Sequence, residues 1–485
     1  MKRAAHVSLL GLLILLGGCT NPVPPTPPVL PVPSPTDYNS APARTAAADV
    51  KGGAAQRFLT GGDVQGQWWA LFHSPALDAL VSEAFAANPD VKAAQAALRS
   101  AREAFYAQRS SAYPTLQGSF SVQRIQVPPF YAPPLTTNTS EYVYGLHTAS
   151  LDVAYTPDVF GNLRYQTRVA GAAYLMQRFE TEATYLTLSS NLVAAVIQAA
   201  SLRDQIASTQ RTIVIDQGLL KLAEAARKNG QLTALDVLNQ ESILRQAEET
   251  LPPLERALAQ TRDLLARLVG RTPSIAPDEA FTLDSLQLPE ELPLSLPSKL
   301  VAQRPDIAAA EANLEQASAL VGVAYTNRLP NISITPQVAT QALTLAGLFG
   351  PGSLLSTLTA QIISTLYDQG TLKHRQASAV AAYEEAASLY ASAVLTGFQN
   401  VADGVVALQK DADAVVSANR AAQAAEKAMR IVLVQKRVGE VSNVAVLTAQ
   451  QIYEASELTL VQAKTARYTD TVALFQALGG GWWNR

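Results

Sequence analysis

The most constraining feature of this chain is that its 485 residues contain the same pattern twice. One block lies at 77–124 and returns at 296–340, and a second block lies at 158–270 and returns at 366–479. Matched residues are 216 positions apart in the first block and 209 apart in the second. The matched pairs include Pro89 and Pro305, Asn191 and Asn400, Gly230 and Gly439, and Leu265 and Leu474. Such a repeat predicts two similar halves and favours a symmetric assembly over a single active site.

The chain is poor in charge, and the charges are unevenly placed. Charged residues make up 16% of it, with a net charge of −3, against about 25% charged residues in an ordinary soluble domain. No charged residue lies between Arg328 and Asp368, and 110–151 contains only two. These stretches occupy equivalent places in the two halves, so the pattern indicates surfaces that face hydrocarbon. No basic stripe indicates nucleic acid as a partner.

The N-terminus has the pattern of an export signal. Lys2-Arg3, the apolar run 7–16 and the small residues before Cys19 predict a signal peptide over 1–18. Cys19 is the only cysteine, and its position resembles the lipobox of bacterial lipoproteins, which implies lipid attachment at Cys19; an incidental cysteine just past the cleavage site is the alternative. Thr20 in place of Asp favours the outer membrane in that resemblance. A Pro-rich tether is predicted over 19–60, with 43–62 irregular and regular structure starting near Trp68.

Each half reads as helix, two strands, long helix and return helix. The first helices are expected at about 75–112 and 296–328. Strand hairpins are expected at 115–157 and 331–367, because alternation over about ten residues is typical of outer-membrane strands. The charge-free run 343–366 is interpreted as a hairpin rather than a membrane helix, since glycines and a proline interrupt its centre.

Two proline-free stretches, 163–228 and 372–437, predict helices roughly 100 Å long. The small apolar residues of the second recur at a mean spacing near 3.6, which predicts straight helices laid side by side, as in a tube wall; an antiparallel coiled coil is the alternative. Gly230 and Gly439 follow cationic last turns and mark helix ends. Return helices are expected at 233–268, interrupted or entered near Pro252, and at 442–478.

Four membrane strands per chain are too few to close a barrel, for which about eight is the practical minimum. Open strand edges cannot face lipid. Several chains must therefore share one barrel, and three copies supply twelve strands. We expect a homotrimer.

An ordered set of motifs carries a family resemblance. The set comprises Trp68-Trp69-Ala70-Leu71-Phe72, Asp158-Val159-Phe160-Gly161, Arg304-Pro305-Asp306-Ile307, Tyr367-Asp368-Gln369-Gly370, the Gly-then-Val-Leu helix turns and the lipobox. Together they resemble the outer membrane efflux proteins, in particular the lipoprotein branch that serves resistance-nodulation-division pumps. The resemblance implies an α+β membrane protein: a trimeric twelve-stranded outer-membrane β-barrel, four strands per chain, continued by a long periplasmic α-helical barrel. The two repeats would span 61–270 and 296–479, with an equatorial linker at 271–295 and a tail at 480–485.

No catalytic, cofactor or metal constellation is found in the sequence, which argues against an enzyme. The four histidines lack metal-ligand spacing, and one cysteine excludes a thiolate cluster. The resemblance implies instead that the helix turns 228–241 and 436–450 form a periplasmic tip. Gly230 and Gly439 would make the turns that an adaptor contacts, or simply cap helices. Asp236 would help to close the tip by pairing with Lys436 or another cation, or be a solvated residue at a helix start.

The expected function is that of an exit duct in a tripartite pump for drugs or other small solutes. The implied partners are the homotrimer, a periplasmic adaptor, an inner-membrane resistance-nodulation-division transporter and outer-membrane lipid. The expected location is the outer membrane of a Gram-negative bacterium, extending into the periplasm. Two alternatives stay open: a duct for type I protein secretion, and a non-conducting envelope scaffold.

Overall fold

A computed structural model describes residues 44–127, 142–277 and 281–484. The helices and strands in chain order are β1 Arg57–Thr60, α1 Pro75–Ala87, α2 Pro89–Ser110, β2 Thr115–Val127, β3 Tyr142–Ala154, α3 Asn162–Lys228, α4 Ala234–Leu268, β4 Glu291–Leu294, α5 Pro297–Gln303, α6 Pro305–Thr326, β5 Asn331–Ala342, β6 Leu354–Ile363, α7 Thr371–Arg437 and α8 Asn443–Ala477. The two repeats give the same order: two helices, two strands, a long helix and a return helix. The strands, the long helix and the return helix of each half occur in the predicted order, whereas two helices stand where one was predicted.

The first helix of each half was predicted as one element, and that prediction is wrong. The structure divides it at Asn88 in the first half and at Arg304 in the second. Both residues precede a proline, and the proline ring disfavours a helical conformation in the residue before it. Asn88 has ψ 128° and Arg304 has ψ 123°, so each helix ends there and a new one begins at the proline.

The long helices have the predicted bounds to within one residue. Both α3 and α7 contain 67 residues, and both return helices contain 35. An interruption of α4 near Pro252 does not occur, because the helix continues through Pro252 and Pro253. A proline removes one backbone donor, and the remaining hydrogen bonds of the helix are enough to carry it past both.

The described chain divides into two compact units, one of which contains the β-hairpins. This unit consists of Arg99–Met176 and Glu311–Leu389. Its four strands form one antiparallel sheet in the order β2-β3-β5-β6. The pairing of β3 with β5 joins the hairpin of one repeat to the hairpin of the other. The charge-free run 343–366 contains β6, which confirms the hairpin interpretation.

The second unit comprises the described residues of 30–98, 177–310 and 390–485. Trp68 lies in a short 3-10 helix, is fully buried, and stacks on Phe475 of α8 with ring centroids 5.3 Å apart. The Trp482 indole N–H donates to the carbonyl of Gln303. The aromatic residues near both chain ends therefore pack into one apolar core, where they anchor the segments that carry them.

Residues 45–56 contain no helix or strand, as predicted, whereas 57–60 form β1, where an irregular segment was expected. The tether predicted over 19–60 therefore does not extend through β1. Strand β1 pairs in parallel with β4 from the linker between the repeats. The segment 44–57 is held on α8 by Arg467, which is fully buried. Its guanidinium donates to Gln56 Oε1, Thr45 Oγ1 and the Ala54 carbonyl at 2.7–3.1 Å. The Gln56 side chain adds donors to the Pro289 carbonyl and to Thr471 Oγ1. An Ala/Gly-rich sequence gives no periodic signal, so contacts with distant residues order this segment.

Candidate channel wall and helix tips

The four-stranded sheet has one apolar face and one polar face. The apolar face is exposed to the surroundings of the chain, with Leu116 at 68% and Leu358 at 73% of full exposure. The register places further apolar side chains on the same face, since Leu116 is paired with Val153 and Leu151 with Val338. Exposed apolar residues in so regular an array require an apolar environment.

The other face carries hydroxyls, amides and one carboxylate. Ser119 and Ser150 lie opposite each other with their hydroxyl oxygens 2.8 Å apart. The Ser150 hydroxyl donates to Asp152 Oδ2 at 2.6 Å, and the Gln337 amide donates to Asp152 Oδ1 at 2.5 Å. Asp152 was not among the residues predicted to have a function, although it occupies a polar position of the period-two pattern. A polar network opposite an apolar face is the arrangement of a membrane barrel wall.

The two edges of this sheet are unpaired in the described chain. Strand β2 pairs only with β3, and β6 pairs only with β5. Each edge therefore presents a row of backbone N–H and C=O groups without partners. The predicted need for further strands follows from this topology.

Gly230 and Gly439 end the long helices in the same way. Gly230 has φ 74° and Gly439 has φ 83°, in the left-handed region that glycine tolerates best. The Gly230 amide donates to the Arg227 carbonyl, and the following amide, of Gln231, donates to Ala226. This is the Schellman cap, and Gly439 and Glu440 form its equivalent at the end of α7. A Cβ at either glycine would meet no heavy atom within 4 Å, so backbone conformation alone requires glycine here.

Asp236 forms a capping box with Thr233 at the start of α4. The Thr233 amide and hydroxyl donate to Asp236 Oδ2 at 2.8 and 2.7 Å, and the Asp236 amide donates to Thr233 Oγ1. These bonds from Thr233 hold the pKa of the Asp236 carboxyl below its usual value. Among the described residues of the single chain, no ion pair joins Asp236 to Lys436. The gate pairing thus stays a prediction.

The second tip lacks an equivalent acid. Ser442 caps α8 by accepting from the Ala445 amide, and Ala445 stands where the first repeat has Asp236. Lys436 lies in the last turn of α7. The structure thus brings Gly230 and Asp236 into one tip, and Lys436 and Gly439 into the other. The predicted lipid attachment at Cys19 lies outside the described residues.

The four strands have the features of a membrane barrel wall, and the helix turns have those of a channel tip. Comparison with known proteins supports the interpretation as a membrane channel. The family model of outer membrane efflux proteins matches residues 80–271 and 296–480. The chain belongs to the outer membrane efflux protein family. The matched ranges follow the two repeats, and the predicted family is confirmed.

Two curated relatives match over nearly the whole chain. The pyoverdine export outer membrane protein OpmQ of Pseudomonas putida is 29% identical, with 99% of this chain and 98% of the relative covered. The probable efflux pump outer membrane protein TtgC of the same species is 28% identical, with 99% and 96% covered. The chain is thus an efflux protein of the Gram-negative outer membrane, as predicted.

A solved structure confirms the fold class. The open state of the MtrE outer membrane channel of Neisseria gonorrhoeae superimposes with a TM-score of 0.79 at 24% identity, covering 96% of this chain and 99% of that one. The predicted combination of four barrel strands and long channel helices in each chain is therefore the observed fold.

Proposed function

We propose that this protein forms a homotrimeric, passive exit duct of a tripartite efflux pump. The observation that carries the proposal is the four-stranded sheet, which is apolar on one face, polar on the other and unpaired at both edges. No such sheet is stable alone in a bilayer, because each unpaired backbone group in hydrocarbon costs several kcal/mol.

In an assembly of three copies, every edge strand of the sheet would have a partner. Strand β2 of one copy would pair with β6 of the next, so that three copies make a closed barrel of twelve strands. Two copies would give a barrel of eight strands. The interior of such a barrel is just wide enough to be filled by its own side chains, so no open lumen would remain. The internal repeat makes a trimer nearly six-fold, which suits straight helices packed side by side in a tube.

The polar face would line the lumen of this barrel. Asp152 from each copy would form a ring of three carboxylates held by Ser150 and Gln337. Rings of acidic side chains favour cations in pores. The duct supplies no energy and performs no chemistry; solutes diffuse along it.

The helix tips would meet a periplasmic adaptor and, through it, an inner-membrane resistance-nodulation-division transporter. The turns at Gly230 and Gly439 are exposed, and no heavy atom lies within 4 Å of the position that a Cβ would take at either glycine. A docking surface requires such open space. Asp236 and Lys436 would close the resting tip across neighbouring helices of the trimer. A lipid on Cys19 would anchor the N-terminus in the outer membrane.

Small solutes are the cargo that the relatives favour. The names of two matched relatives specify pyoverdine export and toluene efflux. We infer that this duct exports small molecules. Loss of resistance to drugs or solvents on deletion, with protein secretion unchanged, would support this; the reverse result would favour the secretion duct.

Two adjacent residues on opposite faces of β3 test the channel. Asp152→Asn should leave assembly intact and reduce cation selectivity, measured as reversal potential across a planar bilayer, because a ring of three charges is removed. Leu151→Lys, one position away on the apolar face, should impair membrane assembly, since a lysine facing lipid costs about 2–4 kcal/mol near the midplane. Native mass spectrometry should show three copies in the wild type. A monomer, or a trimer without conductance, contradicts the proposal.

The gate is tested by leak conductance of the isolated trimer. Asp236→Ala and Lys436→Met should each raise it, and Asp263→Ala, an exposed acid in the same helix α4, should not. Thr233→Ala removes the capping partner of Asp236 and keeps the carboxylate, so it separates a gating role from helix capping. An unchanged leak conductance in Asp236→Ala would contradict the gating role of Asp236. A rise in Thr233→Ala equal to that in Asp236→Ala would contradict it as well. Neither result would contradict the proposal that the protein is an exit duct.

A further inference from the structure

A cavity of about 320 Å³ lies among α3, α4 and α8. Its polar lining comes mainly from the α3 residues Ser208, Thr209, Thr212 and Asp216 and from Glu454 of α8. Ile243 of α4 and Leu458 of α8 add apolar wall. Ligand sites in proteins have this size and this mixture of apolar wall and a few polar groups.

Asp216 is the unusual member of this lining. Its residue is fully buried, and neither carboxylate oxygen has a hydrogen-bond partner among the described residues. Burial is the cause that raises the pKa of its carboxyl, and no cation offsets it. A buried carboxylate without a partner is costly. Protonation alone does not remove the problem, because a neutral carboxyl still has a donor and an acceptor to satisfy.

The other acid of the cavity already has a cation. Arg211 Nε donates to Glu454 Oε2 at 2.9 Å, and the Ser208 hydroxyl donates to the same oxygen at 3.1 Å. The geometry therefore leaves one negative charge, on Asp216, without a counter-ion in the described chain. A suitable partner donates hydrogen bonds, and a positive charge on that partner complements the Asp216 carboxylate best.

An ammonium group fits this need better than a metal ion. Hard metal cations gather several carboxylate or carbonyl oxygens, and the described residues contain no group of three or more His, Cys, Asp or Glu that could hold one. An ammonium group has three donors, enough for Asp216 and the nearby threonine hydroxyls. The apolar wall provides contact for an attached hydrocarbon part.

We propose that the cavity among α3, α4 and α8 binds a small protonated amine, with Asp216 as its counter-ion and Ile243 and Leu458 against its apolar part. Asp216 lines the cavity, and no hydrogen bond of its carboxylate within the described chain has to break when it meets the amine. The site lies in the helical wall and is distinct from the tips that meet the adaptor.

The test uses the assembled full-length protein in detergent, with benzylamine as probe and benzyl alcohol as its neutral counterpart. Wild type should bind benzylamine saturably in calorimetry, and benzyl alcohol at least about tenfold more weakly, because only the amine meets the carboxylate. Asp216→Asn should lose at least about tenfold in benzylamine affinity. Glu224→Gln, which removes an exposed charge from the same helix, should bind as wild type does.

A second variant keeps the carboxylate and fills the space. Ala455→Leu adds a larger apolar side chain to the cavity wall and should also abolish benzylamine binding, so the test stands even where Asp216→Asn assembles poorly. Equal benzylamine affinity in wild type and Asp216→Asn, or no saturable binding by wild type, would overturn the proposal. Tight binding of benzyl alcohol would overturn it as well, because the carboxylate would then play no part.

Discussion

The two repeats solve one structural problem with different side chains. At the break between the first two helices, the Asn88 side chain donates to the Leu268 carbonyl at 2.9 Å, and Arg304 donates to the Ala477 carbonyl at 2.9 Å. These residues are equivalent in the two repeats, and each pair joins the start of a helix to the end of the return helix. The hydrogen bond to the carbonyl is the same in both repeats, although its donor is a neutral amide in the first repeat and a guanidinium in the second. What the repeat preserves is therefore the satisfied carbonyl and not the residue that satisfies it.

The repeats differ more strongly where the N-terminal segment binds. Arg467 holds segment 44–57 on the second return helix, and the equivalent residue of the first return helix is Leu258, which packs against the apolar core. The segment thus has one binding place in a chain that offers two similar helices. The buried guanidinium of Arg467 distinguishes the second return helix from the first, together with the Thr471 hydroxyl that accepts from Gln56.

The largest effect should come from making the second repeat like the first at this position. Arg467→Leu removes the donor to the Ala54 carbonyl and to Gln56 Oε1, and one of the two donors to Thr45 Oγ1. Each buried acceptor left without a partner costs about 1–3 kcal/mol. Trypsin should then cut at Lys51 at least about a hundredfold faster. Arg256→Leu, an exposed arginine of α4, serves as the control. Equal cleavage in both variants would show that the apolar contacts of the segment hold it without Arg467.

Glycine at the end of each return helix gives the next effect. Gly479 has φ 87°, and a Cβ there would lie 2.6 Å from the Gln303 carbonyl oxygen; Gly270 has φ 78°, with 2.9 Å to the Ala87 oxygen. Gly479→Ala should lower the free energy of unfolding by about 3 kcal/mol, because strain and a backbone clash add together. Gly270→Ala should cost less, and Gly439→Ala, with strain but open space, about 1 kcal/mol. Thermal melting followed by circular dichroism ranks the three, and a reversed order would contradict the geometric account.

The break between the helices tests the chemical difference directly. Arg304→Met should destabilise by about 2–3 kcal/mol, since it removes a charged donor from the Ala477 carbonyl and from Asp306. Asn88→Ala should cost about 1–2 kcal/mol, because it removes a helix cap and one further bond. Arg102→Met, whose pair with Glu103 is exposed, should change stability by less than about 1 kcal/mol. Chemical unfolding provides the measurement, and equal losses at 88 and 304 would mean that the added charge contributes nothing.

The smallest effect concerns the two tips. Thr233 lowers the pKa of Asp236, so the carboxylate stabilises the first tip above the unfolded pKa of about 4 and this stability is lost as the pH falls through the lower folded value. The second tip has Ala445 in its place and should lack this dependence. Amide exchange, corrected for its intrinsic pH dependence, should show a roughly two- to fivefold loss of protection at the first tip alone. Ala445→Asp should confer the same dependence on the second tip; its absence there would mean that Ser442 cannot form the capping box.

Much of this architecture follows from sequence alone because its causes are local. Alternation marked the hairpins, the absence of proline marked α3 and α7, and a cationic turn before Gly230 and Gly439 marked their ends. Because the pattern is duplicated, each element was indicated independently in both repeats. The break at Asn88 and Arg304 was also within reach, because each precedes a proline, but the helical pattern on both sides concealed it.

Other features depend on residues that are hundreds of positions apart in the chain. Arg467 donates a hydrogen bond to the carbonyl of Ala54, which lies 413 positions away in the sequence. No periodicity in either segment predicts this contact. Asp216 looks like an ordinary helix-surface acid in the sequence. It becomes a buried group without a partner among the described residues only when α3, α4 and α8 pack together. Sequence by itself determined the repeated elements, the strand faces and the family, since these depend on local spacing. Tertiary structure decided which charges are buried, which segment binds where and which acid lacks a partner, because burial is a property of packing between distant residues.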